Sequence, residues 1–356
     1  MTEINHLEGI ESDFIETPVL RMHVLRAGEP GNPPVLFLHG NASSSTIWEE
    51  IMLQLADEYY CVAPDLRGFG ETDPGALIDA TRGTREWTVD IDALLEELKL
   101  PAVHLVGHSL GGFICWGLIA RYPSRIRTAS LVAPGPPMGF GGLKGPEGSP
   151  NNEDYSGSGA GIVVEELARR IQAGDRSEED PFFSPRNAMN RLFWKEGFRA
   201  QREEAFLTAM LAIHCGPKQY PGDFRESDYW PGVQPGKYGP VNAMAPQYNR
   251  EVMDELLSSE PKPPLLWIQG EDDQIISDQS LSDPGFQGML GLRPGWPGAA
   301  EYPPQPMKQQ VGYALQQYRR HGGQTALLKV ADCGHSPFVE QPQLVLKALL
   351  KHFRQD

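Results

Sequence analysis

The sequence has little positive charge and few cysteines. It carries 31 lysine and arginine residues against 47 aspartate and glutamate residues, which gives a net charge of −16. This acidic balance disfavours nucleic acid and anionic membrane surfaces as partners. The four cysteines are far apart and form no Cys-x-x-Cys pair, so a disulfide framework is not indicated. We therefore expect reduced thiols in a cytoplasmic protein.

Several other signals are missing. The first residues contain no basic and apolar stretch of the kind found in signal peptides. The apolar stretch 101–120 is interrupted by His104, His108, Ser109 and glycines, which favours a buried strand, a turn and a helix over a membrane span. No group of His, Cys, Asp and Glu has metal-ligand spacing, and no dinucleotide-binding pattern is present. We predict neither a metal nor another cofactor.

The most informative stretch is 102–113. An apolar, β-branched run predicts a strand, Gly-His-Ser-Leu-Gly follows at 107–111, and apolar residues at helical spacing come next. In this context the Gly-x-Ser-x-Gly motif forms a tight turn that exposes the serine hydroxyl, and the next N–H group points to the same space. Ser109 is therefore a candidate nucleophile.

Strand and helix patterns alternate along much of the chain. This alternation predicts an α/β fold with a mostly parallel central sheet flanked by helices, preceded by two short antiparallel strands at 14–18 and 20–27. Parallel order places successive strand ends at one edge, where loops meet. The later strands are predicted at 34–39, 59–64, 103–106, 126–133, 264–269 and 325–330, and the helices between and after them at 47–57, 87–98, 306–321 and 343–353.

Composition changes after Pro134, where glycine and proline become frequent. We interpret residues 135–262 as a mainly helical cap inserted between two parts of the core, 1–134 and 263–356. Helices are predicted in the cap at 162–173, 186–195, 201–215 and 247–258. Its methionines either line an apolar pocket or simply pack the cap; they are Met138, Met189, Met210, Met244 and Met253.

A second segment rich in glycine and proline covers 279–306. We expect an ordered but irregular loop near the mouth of the pocket. Three roles stay open for this segment: a lid, a contact between copies in a homo-oligomer, or a surface addition without a function.

A serine hydroxyl becomes a good nucleophile when a histidine takes its proton and a carboxylate orients that histidine. Asp273 follows the first strand after the cap, and His335 follows the last strand. With this order of Ser, Asp and His, the chain resembles the α/β-hydrolases, in the subgroup with a helical cap. The resemblance rests on His39-Gly40-Asn41, Asp65-Leu-Arg-Gly-Phe-Gly70, Gly107-His-Ser-Leu-Gly-Gly112, Gly270-Glu-Asp-Asp273 and Gly334-His-Ser-Pro-Phe-Val-Glu340.

The resemblance implies a catalytic triad in which Ser109 is the nucleophile, His335 the base and Asp273 the acid. Asp272 is an adjacent alternative for the acid. Some relatives carry the acid after the sixth strand, but 132–135 contains no carboxylate here, which favours Asp273.

The resemblance also implies an oxyanion hole made by the backbone N–H groups of Asn41 and Leu110. The Asn41 side chain either faces the pocket or has a structural role in its loop. We expect His39 and His108 to be structural.

The implied reaction is hydrolysis of a carboxylic ester or lactone of a small-to-medium hydrophobic substrate, through an acyl-enzyme on Ser109. A serine at this position argues against the branches with an aspartate nucleophile, the dehalogenases and epoxide hydrolases, because they form an alkyl ester on a carboxylate. A carbon–carbon bond hydrolase or an acyltransferase would use the same triad. A ligand-binding receptor on the same fold is an alternative from another class.

Overall fold

The computed structural model describes residues 4–355 of the chain. Its strands are β1 (Glu11–Glu16), β2 (Arg21–Ala27), β3 (Pro34–Leu38), β4 (Tyr60–Pro64), β5 (Val103–His108), β6 (Ile126–Val132), β7 (Leu143–Lys144), β8 (Ser149–Pro150), β9 (Phe224–Glu226), β10 (Val233–Pro235), β11 (Leu265–Gly270) and β12 (Thr325–Val330). Its helices are α1 (Glu49–Leu55), α2 (Arg85–Glu97), α3 (Leu110–Arg121), α4 (Glu165–Gln172), α5 (Pro185–Leu192), α6 (Glu203–Leu211), α7 (Pro240–Ala243), α8 (Val252–Ser258), α9 (Pro284–Met289), α10 (Met307–Arg320), α11 (Pro337–Glu340) and α12 (Pro342–Phe353).

Eight of the strands form one central sheet in the order β1-β2-β4-β3-β5-β6-β11-β12. Strand β2 is antiparallel to β1 and β4, and the other neighbouring pairs are parallel. Strands β3, β4, β5 and β11 are buried along their whole length, as expected for the centre of a covered parallel sheet. The predicted fold class is confirmed.

The order of the sheet brings distant parts of the chain together. Strand β11 lies between β6 and β12, so the strand that precedes residues 135–262 pairs with the strand that follows them. The carboxyl ends of β3, β5, β11 and β12 therefore meet at one edge of the sheet. The loops that carry the predicted site residues begin at these four ends.

Several predicted helices differ from the structure in their bounds, and two of them show a physical reason. The helix predicted at 47–57 begins as a 3-10 turn at Ser45–Trp48, capped by the Ser44 side chain, and continues as α1. The helix predicted at 201–215 ends at Leu211, because the His214 N–H group donates to the carbonyl of Gly68 rather than along the helix. A tertiary hydrogen bond therefore ends this helix earlier than the local sequence pattern predicts.

The prediction of an irregular loop at 279–306 is wrong over α9. The Asp283 side chain accepts a hydrogen bond from the Phe286 N–H group at 2.9 Å, which caps this short helix. Two glycines within it disfavour helix in isolation. The segment is anchored elsewhere by Tyr302, whose hydroxyl donates to the Ser156 carbonyl at 3.0 Å.

The segment between β6 and β11 lies outside the central sheet. It contains α4 to α8 and two small hairpins, β7–β8 and β9–β10. Helix α8 packs on α3 and α10, and the bounds of the cap, 135–262, stay a prediction. Over residues 4–355, no helix combines the length and apolar character needed to cross a membrane.

Candidate active site

Ser109 stands at the turn between β5 and α3. Its backbone has φ 54° and ψ −111°, a conformation that costs energy for a residue with a side chain. The glycines on either side permit the turn. A Cβ atom on Gly111 would collide with the carbonyl of Leu38, and one on Gly107 would collide with the Cys115 sulfur. The motif therefore has a steric reason at both of its glycine positions.

Asp273 and His335 meet at the ends of the neighbouring strands β11 and β12. His335 Nδ1 lies 2.9 Å from Asp273 Oδ2, and the Asp273 side chain is fully buried. The carboxylate also accepts hydrogen bonds from the N–H groups of Ile275 and Ile276, at 2.8 and 3.0 Å, and from Gln269 Nε2 at 2.8 Å. These donors fix the carboxylate, and a proton on His335 Nδ1 leaves Nε2 as the acceptor.

The neighbouring carboxylate, Asp272, is in a different environment. Its side chain is 50% exposed and lies 3.8 Å from Lys195 Nζ. The geometry thus favours Asp273 over Asp272 as the group that orients His335.

His108 connects the turn at Ser109 to the loop of His335. Its Nε2–H group donates to the backbone carbonyl of His335 at 2.9 Å, and the two rings lie 4.6 Å apart. Burial and the neighbouring His335 lower the pKa of His108 well below its ordinary value, so this ring is neutral. Phe338 packs against it edge-on. This hydrogen bond therefore joins two residues that are 227 positions apart in the sequence.

His39 organises the loop after β3. Its Nδ1–H group donates to the Gly40 carbonyl at 2.8 Å, and its Nε2 accepts from the Leu66 N–H group at 3.0 Å. The ring is fully buried, and burial lowers its pKa. The structural role predicted for His39 is confirmed.

The two predicted oxyanion donors, Asn41 and Leu110, both line the cavity that contains Ser109 and His335. A Cβ atom on Gly40 would lie 3.1 Å from the Ser109 Cβ, so this loop is packed against the turn. Leu110 is the first residue of α3, where N–H groups lack an acceptor within the helix.

The Asn41 side chain is not tied into its loop. Its Oδ1 atom is buried and has no hydrogen-bond partner within residues 4–355. Tyr220, which lines the cavity, is its neighbour: burial raises the pKa of Tyr220, and the Asn41 side chain opposes that shift. These neighbours favour the alternative in which the Asn41 side chain faces the cavity.

Asp65, the first residue of the Asp-Leu-Arg-Gly-Phe-Gly motif, is hydrogen-bonded to the loop after β3 and to the loop after β4. Its Oδ1 accepts from the Ser45 N–H and hydroxyl groups at 2.8 and 2.7 Å, and its Oδ2 from the Glu71 N–H group at 2.9 Å. His23 Nδ1 lies 2.7 Å from Oδ2. Burial alone would raise the pKa of Asp65, but the hydrogen bond and charge of His23 hold it below its ordinary value.

The cavity has a volume of about 950 Å³ and a mostly apolar lining. Of the five methionines for which two roles were open, Met210 and Met244 belong to the lining. Met138 and Met253 line a separate cavity of about 390 Å³ instead. Met189 is fully buried in the packing of α5.

Two cavity residues were missed by the sequence reasoning. Arg191 on α5 and Arg293 in the 279–306 segment both line the cavity. No local pattern marks them, because their significance depends on which charges the fold places around them. Within the described residues, no group of three or more His, Cys, Asp and Glu side chains is close enough to hold a metal ion.

Comparison with known proteins shows which proteins this chain resembles in sequence and in fold. The profile of the alpha/beta hydrolase fold family matches residues 33–158. Epoxide hydrolase 1 of Caenorhabditis elegans is 32% identical over 122 residues, which are 34% of this chain and 30% of that protein. An uncharacterized carboxylesterase, nap, of Bacillus subtilis is 28% identical over 125 residues, which are 35% of this chain and 41% of that protein.

Among solved structures, carboxylesterase CesB of Bacillus subtilis superposes with a TM-score of 0.60 at 16% identity, covering 98% of this chain and 92% of that chain. This likeness is one of fold, and the curated relatives above are matched over less than half of their length. Together with the sheet order and the profile matched over residues 33–158, it shows that the chain has the α/β-hydrolase fold.

Proposed function

We propose that the protein is a serine hydrolase that cleaves a carboxylic ester or lactone. The observation that supports this most directly is that Ser109, His335 and both predicted oxyanion donors line one cavity, with Asp273 hydrogen-bonded to His335 behind it. The apolar lining favours a small-to-medium hydrophobic substrate.

In the proposed mechanism, Ser109 Oγ attacks the substrate carbonyl carbon while His335 Nε2 takes the hydroxyl proton. Asp273 stabilises the imidazolium that forms. The backbone N–H groups of Asn41 and Leu110 stabilise the negative oxygen of the tetrahedral intermediate, an interaction for which one donor contributes about 3 kcal/mol. The proton then passes from His335 to the leaving alcohol, and an acyl-enzyme remains.

Hydrolysis of the acyl-enzyme repeats these steps with water. His335 takes a proton from the water as its oxygen attacks the acyl carbon, and the second tetrahedral intermediate releases the acid and the Ser109 hydroxyl. An epoxide hydrolase is among the relatives, but opening an epoxide through an alkyl ester requires a carboxylate where this chain has Ser109. Ester chemistry fits the hydroxyl.

The test combines active-site labelling with turnover. A fluorophosphonate probe should label the wild-type protein and the control Ser282→Ala, since Ser282 lines the same cavity without belonging to the triad, and should not label Ser109→Ala. Turnover is measured on p-nitrophenyl esters of increasing chain length and on lactones. Absence of labelling together with absence of turnover would contradict the proposal.

The same assay separates the alternatives. An acyltransferase should transfer the acyl group to an added alcohol faster than to water. A carbon–carbon bond hydrolase should cleave a vinylogous diketone and leave simple esters intact.

A further inference from the structure

The cavity contains two arginines and no carboxylate. Arg191 and Arg293 are in its lining, whereas no aspartate or glutamate is. This is unexpected in a chain with 47 acidic against 31 basic residues. Neither guanidinium lies within ion-pair distance of any carboxylate in residues 4–355, although most arginines of the cap have such partners, as Arg170, Arg176 and Arg186 do.

Arg191 has unused hydrogen-bonding capacity. One of its terminal nitrogens, Nη2, donates to the Phe182 carbonyl at 3.1 Å, while Nε is buried and has no partner within the described residues. Burial lowers the pKa of Arg191, and the charge of Asp180 only partly offsets this. Arg191 is partly buried, and partial loss of water around a guanidinium without an ion-pair partner is unfavourable.

Arg293 is the second cationic residue of the cavity lining, and it belongs to the 279–306 segment. Its Nε donates to Gln287 Oε1 and its Nη2 to the Ile162 carbonyl, both at 3.1 Å. Burial lowers its pKa as well, and Asp283 is too far away to form an ion pair. These bonds hold the side chain in place, and they neutralise none of its charge.

Both arginines neighbour exposed residues of the cavity lining. Arg191 is bonded to Phe182, which is 59% exposed, and Arg293 follows Leu292, which is 69% exposed. All four residues line the cavity, so each arginine lies next to a place where the lining is open to solvent. His335, in contrast, is only 2% exposed, and most of the cavity lining is apolar.

We infer that Arg191 and Arg293 form a binding subsite for a carboxylate at the far end of the substrate, so that the preferred ester carries a terminal carboxylate on an apolar chain. The inference rests on the proposed function for the reacting end of that substrate. A guanidinium binds a carboxylate through two parallel N–H donors, and such a bond is about twice as strong as a neutral one. A carboxylate there would also supply the counter-charge that the fold omits.

The kinetic test compares esters of matched length, mono-p-nitrophenyl adipate against p-nitrophenyl hexanoate, with longer pairs in parallel. In the wild type, kcat/KM should be about tenfold or more higher for the charged ester, mainly through KM, since a charged hydrogen bond contributes roughly this factor. Arg191→Gln should lower this preference about tenfold, through a larger loss of kcat/KM on the charged ester than on the neutral one. Arg293→Gln should act in the same direction.

Arg199→Gln is the matched control, because Arg199 is exposed and its Nη1 bonds only the adjacent Phe198 carbonyl. It should leave the preference intact. A wild-type preference for the neutral ester at every length, or an equal loss on both esters in Arg191→Gln, would overturn the inference.

A binding experiment separates this inference from the proposed chemistry. Calorimetry on Ser109→Ala should give tighter binding of monomethyl adipate than of dimethyl adipate, and Arg191→Gln in that background should abolish the difference. If the wild type cleaves neither ester but this difference holds, the proposed function fails and the subsite stands. If esters are cleaved and the difference is absent, the subsite fails.

Discussion

Adjacent residues in this chain have very different environments, and Asp272 and Asp273 are the clearest pair. The Asp273 carboxylate is fully buried and accepts hydrogen bonds from several donors, including His335. The Asp272 side chain is half exposed and faces Lys195. Both residues follow the same strand, and the resemblance to the α/β-hydrolases favours Asp273 from the sequence. The fold of the turn at 270–276 then shows how their environments differ.

We expect Asp273→Asn to lower kcat about a thousandfold or more, because the amide can no longer hold the His335 tautomer or stabilise the imidazolium. Asp272→Asn should change kcat less than about threefold, as surface substitutions generally do. Steady-state kinetics on a p-nitrophenyl ester checks both, with circular dichroism to verify folding. Loss of turnover in Asp272→Asn alone would reverse the assignment.

His108 provides a second prediction for a single residue. In His108→Phe the ring is retained but the donor to the His335 carbonyl is lost, and leaving a buried carbonyl unsatisfied costs about 1–3 kcal/mol. We expect a lower melting temperature and a kcat reduced about tenfold, with little change in KM, because His335 is less well positioned. His108→Gln should recover part of both losses. Unchanged kcat in His108→Phe would show that the bond is not needed.

Among the elements, those with strong periodicity were predictable from the sequence. The strand predicted at 325–330 has the same bounds as β12, and the turn between β5 and α3 is placed as predicted. Parallel order then implied that Ser109, Asp273 and His335 follow strand ends at one edge. The inferences for β5 and β11 succeed because these strands are buried along their whole length, which leaves a continuous apolar run in the sequence.

The remaining elements depend on contacts that no local window contains. Helix α9 is short and holds two glycines, and Trp296 packs against one of them, Gly288. The cavity arginines likewise resemble the solvated arginines of α4 until the fold shows that, within the described residues, Arg191 and Arg293 have no carboxylate at ion-pair distance. A missing counter-charge is a property of three-dimensional neighbours and leaves no pattern in the chain.

The junction between β2 and the loop after β4 gives a prediction of pH dependence. Burial would lower the pKa of His23, but the hydrogen bond and charge of Asp65 raise it above 6.5. A raised histidine pKa stabilises the folded state below pH 6.5, and this stabilisation is lost as the pH rises through the folded-state value. Asp65 has a lowered pKa, so its own contribution is lost only as the pH falls below about 3.8.

We therefore expect the melting temperature of the wild type to exceed that of His23→Gln most between about pH 5 and 6, and the difference to shrink towards pH 9. Thermal unfolding followed by circular dichroism across this range measures it. Lys351→Gln, on exposed surface of α12, serves as the control and should show a difference that does not vary in this way. A difference that grows with pH would contradict the assigned direction.

Considered as a whole, the chain places its proposed chemistry in the core and its proposed selectivity outside it. Ser109, Asp273 and His335 all follow strands of the central sheet, whereas Arg191 and Arg293 come from the two inserted segments. The ends of the larger segment also meet, since the Phe140 N–H group donates to the Met244 carbonyl at 3.0 Å. A short linker can therefore join residues 140 and 244.

This leads to a prediction for the whole molecule. With residues 141–243 replaced by two glycines, the protein should fold, since α8 and its packing on α3 are retained. Its melting temperature should be lower, because the deletion removes contacts such as the bond from the Lys195 N–H group to Glu340 Oε2. Turnover of p-nitrophenyl acetate should stay within about tenfold of the wild type, since the proposed triad and the predicted oxyanion donors remain, and the dependence on acyl chain length should disappear.

Circular dichroism and fluorophosphonate labelling distinguish the outcomes. A folded, labelled protein without chain-length dependence would support a separable cap over a complete catalytic core. A protein that does not fold would show that the core depends on residues 141–243. One such dependence involves Glu49, which is fully buried and forms an ion pair with Arg202 of the removed segment. Glu49→Gln in the deletion variant should then restore folding if that single uncompensated charge is the cause.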